Sequence, residues 1–202
     1  MRYAAGGLAL LFLLALLYLL LRIYLESRRE REKPAEIPGD ELPPALREVA
    51  LQPLRRLAEY YLKRDPEQAD ACMEETMLPD DMLILGTNPL EIFWGREGAR
   101  NLLQGDWRSW GLASLDADGT ALGRAGDTLH FVMRGQIRLD FFHIRIPIKI
   151  TGLLIEKDGA WRIGKLQFVN DLNTNYVIIA WIPAIVLTAN LVLFLLFRLL
   201  GI

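Results

Sequence analysis

The chain has 202 residues, of which 52 % are hydrophobic, and its 23 Lys and Arg against 25 Asp and Glu give a formal net charge of −2. This composition excludes a disordered chain and a collagen-like chain, and the lone cysteine, Cys72, excludes a disulfide scaffold. The basic pair Arg28-Arg29 is interleaved with glutamates that cancel its field, so we expect no nucleic-acid partner.

The hydrophobic residues are concentrated at the two ends of the chain. Tyr3 to Leu21 is an uncharged run of 19 residues, and Tyr176 to Phe197 is one of 22. As helices they would be about 28 and 33 Å long, enough to cross a hydrocarbon core of about 30 Å. No small-residue cleavage pattern follows the first run, which favours a retained anchor over a signal peptide. The sequence therefore predicts transmembrane helices over residues 3–21 and 176–197.

Basic residues beside these runs predict the orientation in the membrane. Five of them follow the first run closely, namely Arg22, Arg28, Arg29, Arg31 and Lys33. Only Arg2 precedes that run. Arg162 and Lys165 precede the second run, and only Arg198 follows it. Because basic residues stay on the cytoplasmic side, we expect a two-pass protein of the inner membrane with its middle in the cytoplasm. A periplasmic middle domain is the alternative.

Between the runs, the composition changes from a stalk to a linker to a folded domain. Residues 22–33 lack Gly and Pro and pair basic with acidic side chains four residues apart, which predicts a helical stalk. Residues 34–44 contain four prolines and one glycine, which predicts a semi-rigid linker. We expect the folded domain to occupy residues 45–171.

The first part of this domain has helical patterns. Apolar residues recur at helical spacing from Leu46 to Leu62, and Asp65-Pro66 signals the start of a second helix that ends near Met77. Two short strands are expected at 82–85 and 91–94. A third helix is expected over 95–104, stopped at Gly105.

The last part alternates with the period of a strand. Residues 127–139 and 142–151 predict an antiparallel hairpin turned at Asp140-Phe141. A second pair, 152–156 and 161–169, would close around Lys157-Asp158-Gly159. Helices that precede a strand meander are typical of an α+β fold.

Three segments carry a family resemblance. They are Ile84-Leu85-Gly86-Thr87, Phe93-Trp94-Gly95-Arg96-Glu97-Gly98 before a helix, and Lys157 to Ile163. Together they resemble the SnoaL-like branch of the nuclear transport factor 2-like (NTF2-like) superfamily over residues 54–170. The resemblance implies a cone of three helices on a curved antiparallel sheet, with a pocket in its wide end. It also implies isomerases, dehydratases and hydrolases as well as non-catalytic carriers and oligomerisation modules, so the fold alone assigns no activity.

The strand faces indicate whether such a pocket would carry chemistry. The predicted turn places Arg138 opposite His143, Gln136 opposite Arg145 and His130 opposite Thr151, all on the outward face. The inward face is then entirely apolar. Gln167 stands where SnoaL-like sequences often have a histidine. Both observations favour a non-catalytic domain.

A few residues remain as site candidates. Asp80, Asp81 and Tyr61 are the candidate proton-transfer groups, with a solvated turn and a core tyrosine as the alternatives. Six aromatic and apolar residues are candidates to contact a small apolar ligand, namely Tyr61, Trp94, Trp107, Trp110, Phe131 and Met133. The alternative is that these residues serve only to pack the core. His130 and His143 have no ligand partners at metal spacing, so we expect no metal and no cofactor.

The outward strand face carries a basic cluster. Its members are Arg134, Arg138, Arg145 and Lys149. Residues 34–81 contain 12 acidic and 5 basic side chains, so an acidic surface on a second copy, or anionic lipid, is a candidate partner. A solvated face is the alternative. We expect a homo-oligomer.

These observations leave three functions. The first is a membrane-anchored, non-catalytic NTF2-like binding and oligomerisation module that holds a small apolar ligand. The second is a membrane-tethered SnoaL-like isomerase, dehydratase or hydrolase that acts on a hydrophobic substrate. The third is a subunit of a membrane oligomer or pore, in which Asn190 bonds a neighbouring helix; a bond to its own helix is the alternative.

Overall fold

The computed structural model describes residues 2–28, 42–87, 90–109, 111–138, 145–170 and 174–200. The chain forms two compact units, a helical one from residues 1–29 and 172–202 and an α+β one from residues 30–171. The predicted linker and the end of the predicted stalk lie largely outside the described residues.

The helical unit consists of α1 (Arg2–Arg28) and α5 (Thr174–Leu200), which pack against each other. Within the described residues, one helix is long and apolar enough to cross a membrane, and its apolar window is Ile179–Leu196. Apolar side chains in this window, such as Phe194, are exposed. In α1 the apolar stretch among the residues whose side chains are described is Leu10–Leu25, which is shorter than that window.

The domain begins with α2 (Pro44–Lys63), which has a proline in its first turn, where no backbone donor is needed. It ends at Lys63 because Arg64 adopts a left-handed conformation and donates its backbone N–H to the Tyr60 carbonyl. Leu54, Leu57 and most other apolar residues of the predicted pattern are buried, whereas Leu62 at its end is 52 % exposed. The helix packs its buried face on the rest of the domain.

Two further helices differ in extent from the prediction. Asp65 caps a single 3₁₀ turn, Pro66–Gln68, and α3 (Ala69–Thr76) follows it. The third helix, α4 (Gly95–Ser109), continues through Gly105, so the predicted stop there is wrong. A glycine inside a helix costs only about 1 kcal/mol, and burial of Trp107 in the following turn offsets that cost.

In the described part of the chain, six strands form one sheet in the order β2-β1-β6-β5-β4-β3. Their bounds are β1 (Leu83–Leu85), β2 (Ile92–Trp94), β3 (Leu112–Ala125), β4 (Thr128–Arg138), β5 (Arg145–Lys157) and β6 (Ala160–Asn170). All pairs are antiparallel except that of β1 with β6. The strand β3 was not predicted, because an irregularity between Asp116 and Ala121 interrupts its alternation.

The β4–β5 pairing is shifted by two residues from the predicted hairpin. Arg138 lies opposite Arg145, and His130 lies opposite Leu153. The predicted turn at Asp140-Phe141 and the partner His143 lie outside the described residues. Because a shift of two preserves side-chain alternation, the inward and outward faces are nevertheless those that the sequence predicted.

Strand β5 also runs unbroken through Gly152, where a break was predicted. A Cβ at this position would lie 2.7 Å from the Phe131 ring and would also meet the Lys165 carbonyl. Gly152 therefore permits a close approach of neighbouring strands rather than ending one.

The core lies between α2, α3, α4 and the inward face of the sheet. On β4 and β5 that face is lined by buried apolar side chains: Leu129, Phe131, Met133, Ile137, Ile148, Ile150 and Leu154. The outward face carries the polar and basic residues. The helices and this face together define the interior in which a site can form.

Candidate functional site

Two polar side chains meet inside the core. Tyr61, from the last turns of α2, donates a hydrogen bond from Oη to Oδ2 of Asp106, near the end of α4, at 2.8 Å. Tyr61 is 1 % exposed and Asp106 is 5 % exposed. The Trp107 ring stands edge-on to Tyr61, with centroids 5.9 Å apart, and Phe168 lies on another side at 6.4 Å. Aromatic rings therefore pack against Tyr61 on two sides.

Burial changes the proton affinity of both groups. It raises the pKa of Asp106 to about 7; the Tyr61 hydrogen bond opposes this rise and the negative charge of Glu91 adds to it. Burial and the neighbouring Asp106 raise the pKa of Tyr61 well above its ordinary value. Tyr61 thus acts as a hydrogen-bond donor, whereas Asp106 can gain or lose a proton near neutral pH.

The Trp107 indole adds an unused donor beside this pair. Trp107 is 3 % exposed, and its buried Nε1 has no hydrogen-bond partner in the described part of the chain. A buried donor without an acceptor costs about 1–3 kcal/mol. Phe131 and Met133 belong to the same buried core cluster. The buried core thus places one carboxyl and two donors, from Tyr61 and Trp107, among apolar side chains.

The structure separates the predicted ligand-contacting set. Tyr61, Trp107, Phe131 and Met133 are buried together in the core. Trp94 is 68 % exposed and lies away from that core, which differs from the expectation. Its side chain alternates with that of Phe93, which is the β2 residue packed against the core. Trp110 lies outside the described residues.

The other predicted catalytic candidates are on the surface. Asp80 and Asp81 are exposed in the 3₁₀ turn Pro79–Asp81. Asp80 Oδ1 accepts a hydrogen bond from Arg96 Nε at 3.1 Å, and Arg96 also pairs with Glu74. These contacts raise the pKa of Arg96, and the hydrogen bond to Glu74 contributes most to the rise. An exposed, ion-paired carboxylate agrees with the solvated-turn interpretation.

We examined the described ranges for side chains that could ligate a metal ion. No group of three or more His, Cys, Asp or Glu side chains there is placed to hold a metal ion. His130 is exposed on the outward sheet face.

The basic cluster shares the outward face, as the alternation predicted. Arg134 lies opposite Lys149, and Arg138 lies opposite Arg145. In α5, Asn190 Nδ2 donates to the Val186 carbonyl of its own helix at 2.7 Å. This bond agrees with the own-helix alternative for Asn190.

The sequence contained a signal for Asp106 that the predicted helix end concealed. Once α4 continues through Gly105, its buried positions follow helical spacing: Ala99, Leu102, Leu103, Asp106 and Trp107. An aspartate on the buried stripe of an amphipathic helix is unusual and indicates a partner or a site.

Comparison with known proteins gives the fold. No protein-family model and no curated protein matches the sequence. Among solved structures, a protein from Streptomyces avermitilis described as a dehydratase of the NTF2-like family has a TM-score of 0.54 at 11 % identity, with 65 % of this chain and 99 % of that chain covered. The α+β domain has an NTF2-like fold.

Two further structures widen the range of NTF2-like neighbours. A protein of unknown function with a cystatin-like fold from Nostoc punctiforme has a TM-score of 0.52 at 14 % identity, over 65 % of this chain and 95 % of that one. A protein from Xanthomonas campestris described as a calcium/calmodulin-dependent protein kinase II association domain has a TM-score of 0.50 at 16 % identity, over 70 % of this chain and 96 % of that one. The NTF2-like fold hosts different functions, so function depends on the site.

Proposed function

We propose that the chain is a membrane-anchored, non-catalytic NTF2-like module that binds a small, mostly apolar ligand inside its domain. The observation that carries this proposal is the buried Trp107 Nε1 without a partner, beside the Tyr61–Asp106 pair. A ligand oxygen would accept from this donor and remove the cost of leaving it unpaired. The surrounding apolar side chains would bury the rest of the ligand.

The ligand proposal is tested by what the protein retains. Full-length chain is purified in a neutral detergent and denatured, and released small molecules are identified by mass spectrometry. W107F removes the indole donor and should lower the retained amount about fivefold, since a neutral hydrogen bond contributes about 1 kcal/mol. W94F removes an exposed tryptophan and serves as the matched control. Equal amounts in all three proteins, or none above a detergent blank, would contradict ligand binding.

Membrane anchoring is proposed for both terminal helices, with the domain in the cytoplasm of a two-pass protein. The apolar window Ile179–Leu196 supports a span in α5. The exposed apolar side chains of Leu10–Leu25 support a second span in α1. Two fragments separate these contributions, one ending at Asn170 and one beginning at residue 30. Each should stay with the membrane after alkaline carbonate extraction, and release of either would remove its helix from the proposal.

The side of the membrane is tested by thiol labelling. Cys72 is fully buried, so a reporter is placed at exposed Lys157 as K157C in a C72S background. An impermeant maleimide should label inverted vesicles and not right-side-out ones. The reverse pattern would favour a periplasmic domain.

Self-association is also part of the proposal. Support comes from the acidic excess of residues 34–81 and the basic cluster on the sheet, which are complementary charges on one chain. Native mass measurement of the full chain in detergent should give a discrete oligomer. A monomer at all concentrations would remove this element.

An acid–base enzyme is the second candidate, because the pKa of Asp106 is raised to about 7. A carboxyl of that pKa can exchange protons with a hydrophobic substrate at neutral pH, as an isomerase or dehydratase requires. D106N distinguishes the two functions once a ligand is identified. If D106N retains the ligand and the wild type leaves it chemically unchanged, the protein is a binding module. If the wild type converts the ligand to a product and D106N does not, the protein is an enzyme.

A further inference from the structure

Asp106 lies in the core without a buried basic neighbour. Apart from aromatic residues, the buried polar or charged residues in the described part of the chain are Thr76, Asp106 and Thr120, so none is basic. An ionised carboxylate in such a place needs an ion pair or several hydrogen bonds. Among the described side chains, Tyr61 alone donates a hydrogen bond to it, at 2.8 Å. The core therefore favours the neutral carboxyl.

The groups that face Asp106 from neighbouring elements add no positive charge. Tyr61, on α2, is neutral because burial and Asp106 raise its pKa. Glu91, between β1 and β2, acts on Asp106 with its negative charge and raises the pKa of that carboxyl. Cys72, on α3, belongs to the same core and is a neutral thiol, because burial raises its pKa to about 12. The surroundings of Asp106 therefore disfavour a second negative charge.

The other charged groups on and beside α4 lie toward solvent. On α4 itself Glu97 and Arg108 are exposed, and so is Lys63 at the end of α2. Arg96 and Arg100 form ion pairs with carboxylates of α3. The acidic residues of α3 and of the two 3₁₀ turns that pack on α4 are exposed as well, namely Glu67, Asp70, Glu74, Glu75, Asp80 and Asp81. Because solvent screens exposed charges, these groups compensate a buried carboxylate poorly.

The hydrogen bonds of the core define what a ligand must supply. Trp107 Nε1 is a buried donor that has no acceptor within the described ranges. The hydroxyls of the two buried threonines donate to backbone carbonyls, and that of Tyr61 donates to Asp106. A ligand that completes this set supplies an acceptor, which an ammonium group cannot do. A carboxylate or phosphate could accept, but it would be buried near Asp106 with no cation to balance it.

We infer that the ligand of this core is an uncharged hydrocarbon with an oxygen acceptor, such as an alkyl ketone, and that ionisation of Asp106 releases it. This inference rests on the ligand binding proposed above. A ligand that covers Asp106 removes the remaining contact of the carboxyl with water, which makes its ionised form still more costly. Ligand binding and ionisation therefore oppose each other, and by linkage the ligand binds the neutral form.

The pH range of this release follows from Asp106. Its pKa in the folded protein is about 7. Below this pH most molecules hold the neutral carboxyl and bind the ligand at full affinity. Above it the neutral fraction falls about tenfold per pH unit, and the apparent affinity falls with it. Between pH 6 and pH 8.5 the ligand should therefore bind roughly thirtyfold more weakly.

The inference is tested on the full chain in a neutral detergent by thermal unfolding. Methyl hexyl ketone is titrated at pH 6 and at pH 8.5, and each shift is measured against the ligand-free protein at the same pH. The ketone should raise the unfolding temperature at pH 6, because a ligand that binds the folded state stabilises it. The same shift at pH 8.5 should need roughly thirtyfold more ketone. Octanoate and octylamine, which are charged molecules of similar length, should give much smaller shifts at both pH values.

Variants assign the pH dependence to Asp106. D106N is uncharged and can still accept the hydrogen bond from Tyr61, so it should need the same ketone concentration at both pH values. E97Q, an exposed carboxyl on the same helix, is the matched control and should keep the wild-type dependence. Y61F should move the loss of binding to higher pH, because the lost hydrogen bond stabilised the ionised carboxylate. If D106N fails to fold, Y61F and the probe preference of the wild type still decide.

Several results would overturn the inference. Equal ketone affinity at both pH values, or a pH dependence that D106N retains, would remove the link to Asp106. Octanoate shifts as large as those of the ketone would show that the core accepts an anion, and octylamine shifts that grow with pH would show that Asp106 pairs with a cation. A retained ligand, identified by mass spectrometry, that binds equally at both pH values would leave the proposed function standing and refute this inference alone. No retained ligand and no probe shift at either pH would refute both.

Discussion

Replacing Asp106 with asparagine should remove a pH dependence from the stability of the domain. Burial raises the pKa of Asp106 to about 7 in the folded state, whereas an unfolded aspartate titrates near about 3.9. Between these values the folded chain holds a proton that the unfolded chain has lost. The contribution of Asp106 to stability is therefore complete below about pH 4 and is lost as the pH rises toward 7.

The expected size follows from the shift. A pKa rise of about three units corresponds to about 4 kcal/mol. For a domain of this size each kcal/mol moves the unfolding temperature by about 3 °C, so the loss amounts to about 12 °C. Asparagine cannot ionise, and its amide oxygen can still accept the hydrogen bond from Tyr61. D106N should accordingly lack this loss.

The measurement is the unfolding temperature of the full chain in a neutral detergent from pH 4.5 to 8. Other carboxylates also titrate; Arg55, for example, lowers the pKa of Glu48 by a hydrogen bond and by its charge. The informative quantity is therefore the difference between wild type and D106N, which removes shared contributions. E97Q, an exposed carboxyl on the same helix, is the control and should follow the wild type. A difference that changes by less than about 2 °C over this range would refute the reasoning.

Two other substitutions test packing at and near the site. Y61F should lower the free energy of unfolding by about 1–2 kcal/mol. It should also move the Asp106-dependent transition above pH 7, because the Tyr61 hydrogen bond stabilises the ionised carboxylate and its removal raises the pKa of Asp106. An unchanged midpoint in the same titration would contradict this. G152A should lower the unfolding temperature by about 5 °C, since its Cβ would meet the Phe131 ring and a backbone carbonyl. G105A, whose Cβ meets nothing within 4 Å, should raise it slightly, so equal values for the two alanine variants would argue against strand crowding.

Local sequence patterns predicted the fold correctly where they were long and regular. The apolar spacing from Leu46 to Leu62 predicted α2, and strict alternation predicted which faces of β4 and β5 are buried. Those faces survived a register error of two residues, since alternation has a period of two. Patterns failed where glycine or aspartate interrupted them. Gly105 lies inside α4, Gly152 lies inside β5, and Asp116 begins the irregular stretch of β3.

The site was less accessible from the sequence, because it depends on distant residues. Tyr61 and Asp106 are 45 positions apart, and no local pattern relates them. The inward faces of β4 and β5 were predicted to be apolar and are apolar, whereas the buried carboxyl of Asp106 comes from the helix α4. Trp94 shows the converse: an aromatic residue in a strand is assigned to the interior or the exterior only when its pairing is known.

The parallel pairing of β1 with β6 constrains the order in which the chain can fold. Leu83 and Lys165 are partners although 82 positions separate them, whereas the hairpins of β3 to β6 join neighbours in sequence. Pairing over such a separation is slow, because the entropy cost of closing the long loop must be met before the strand contacts form and stabilise it. During synthesis β1 and β2 emerge early and must wait for β6, the last strand before α5. The sheet edge is thus completed only when the final helix is about to follow.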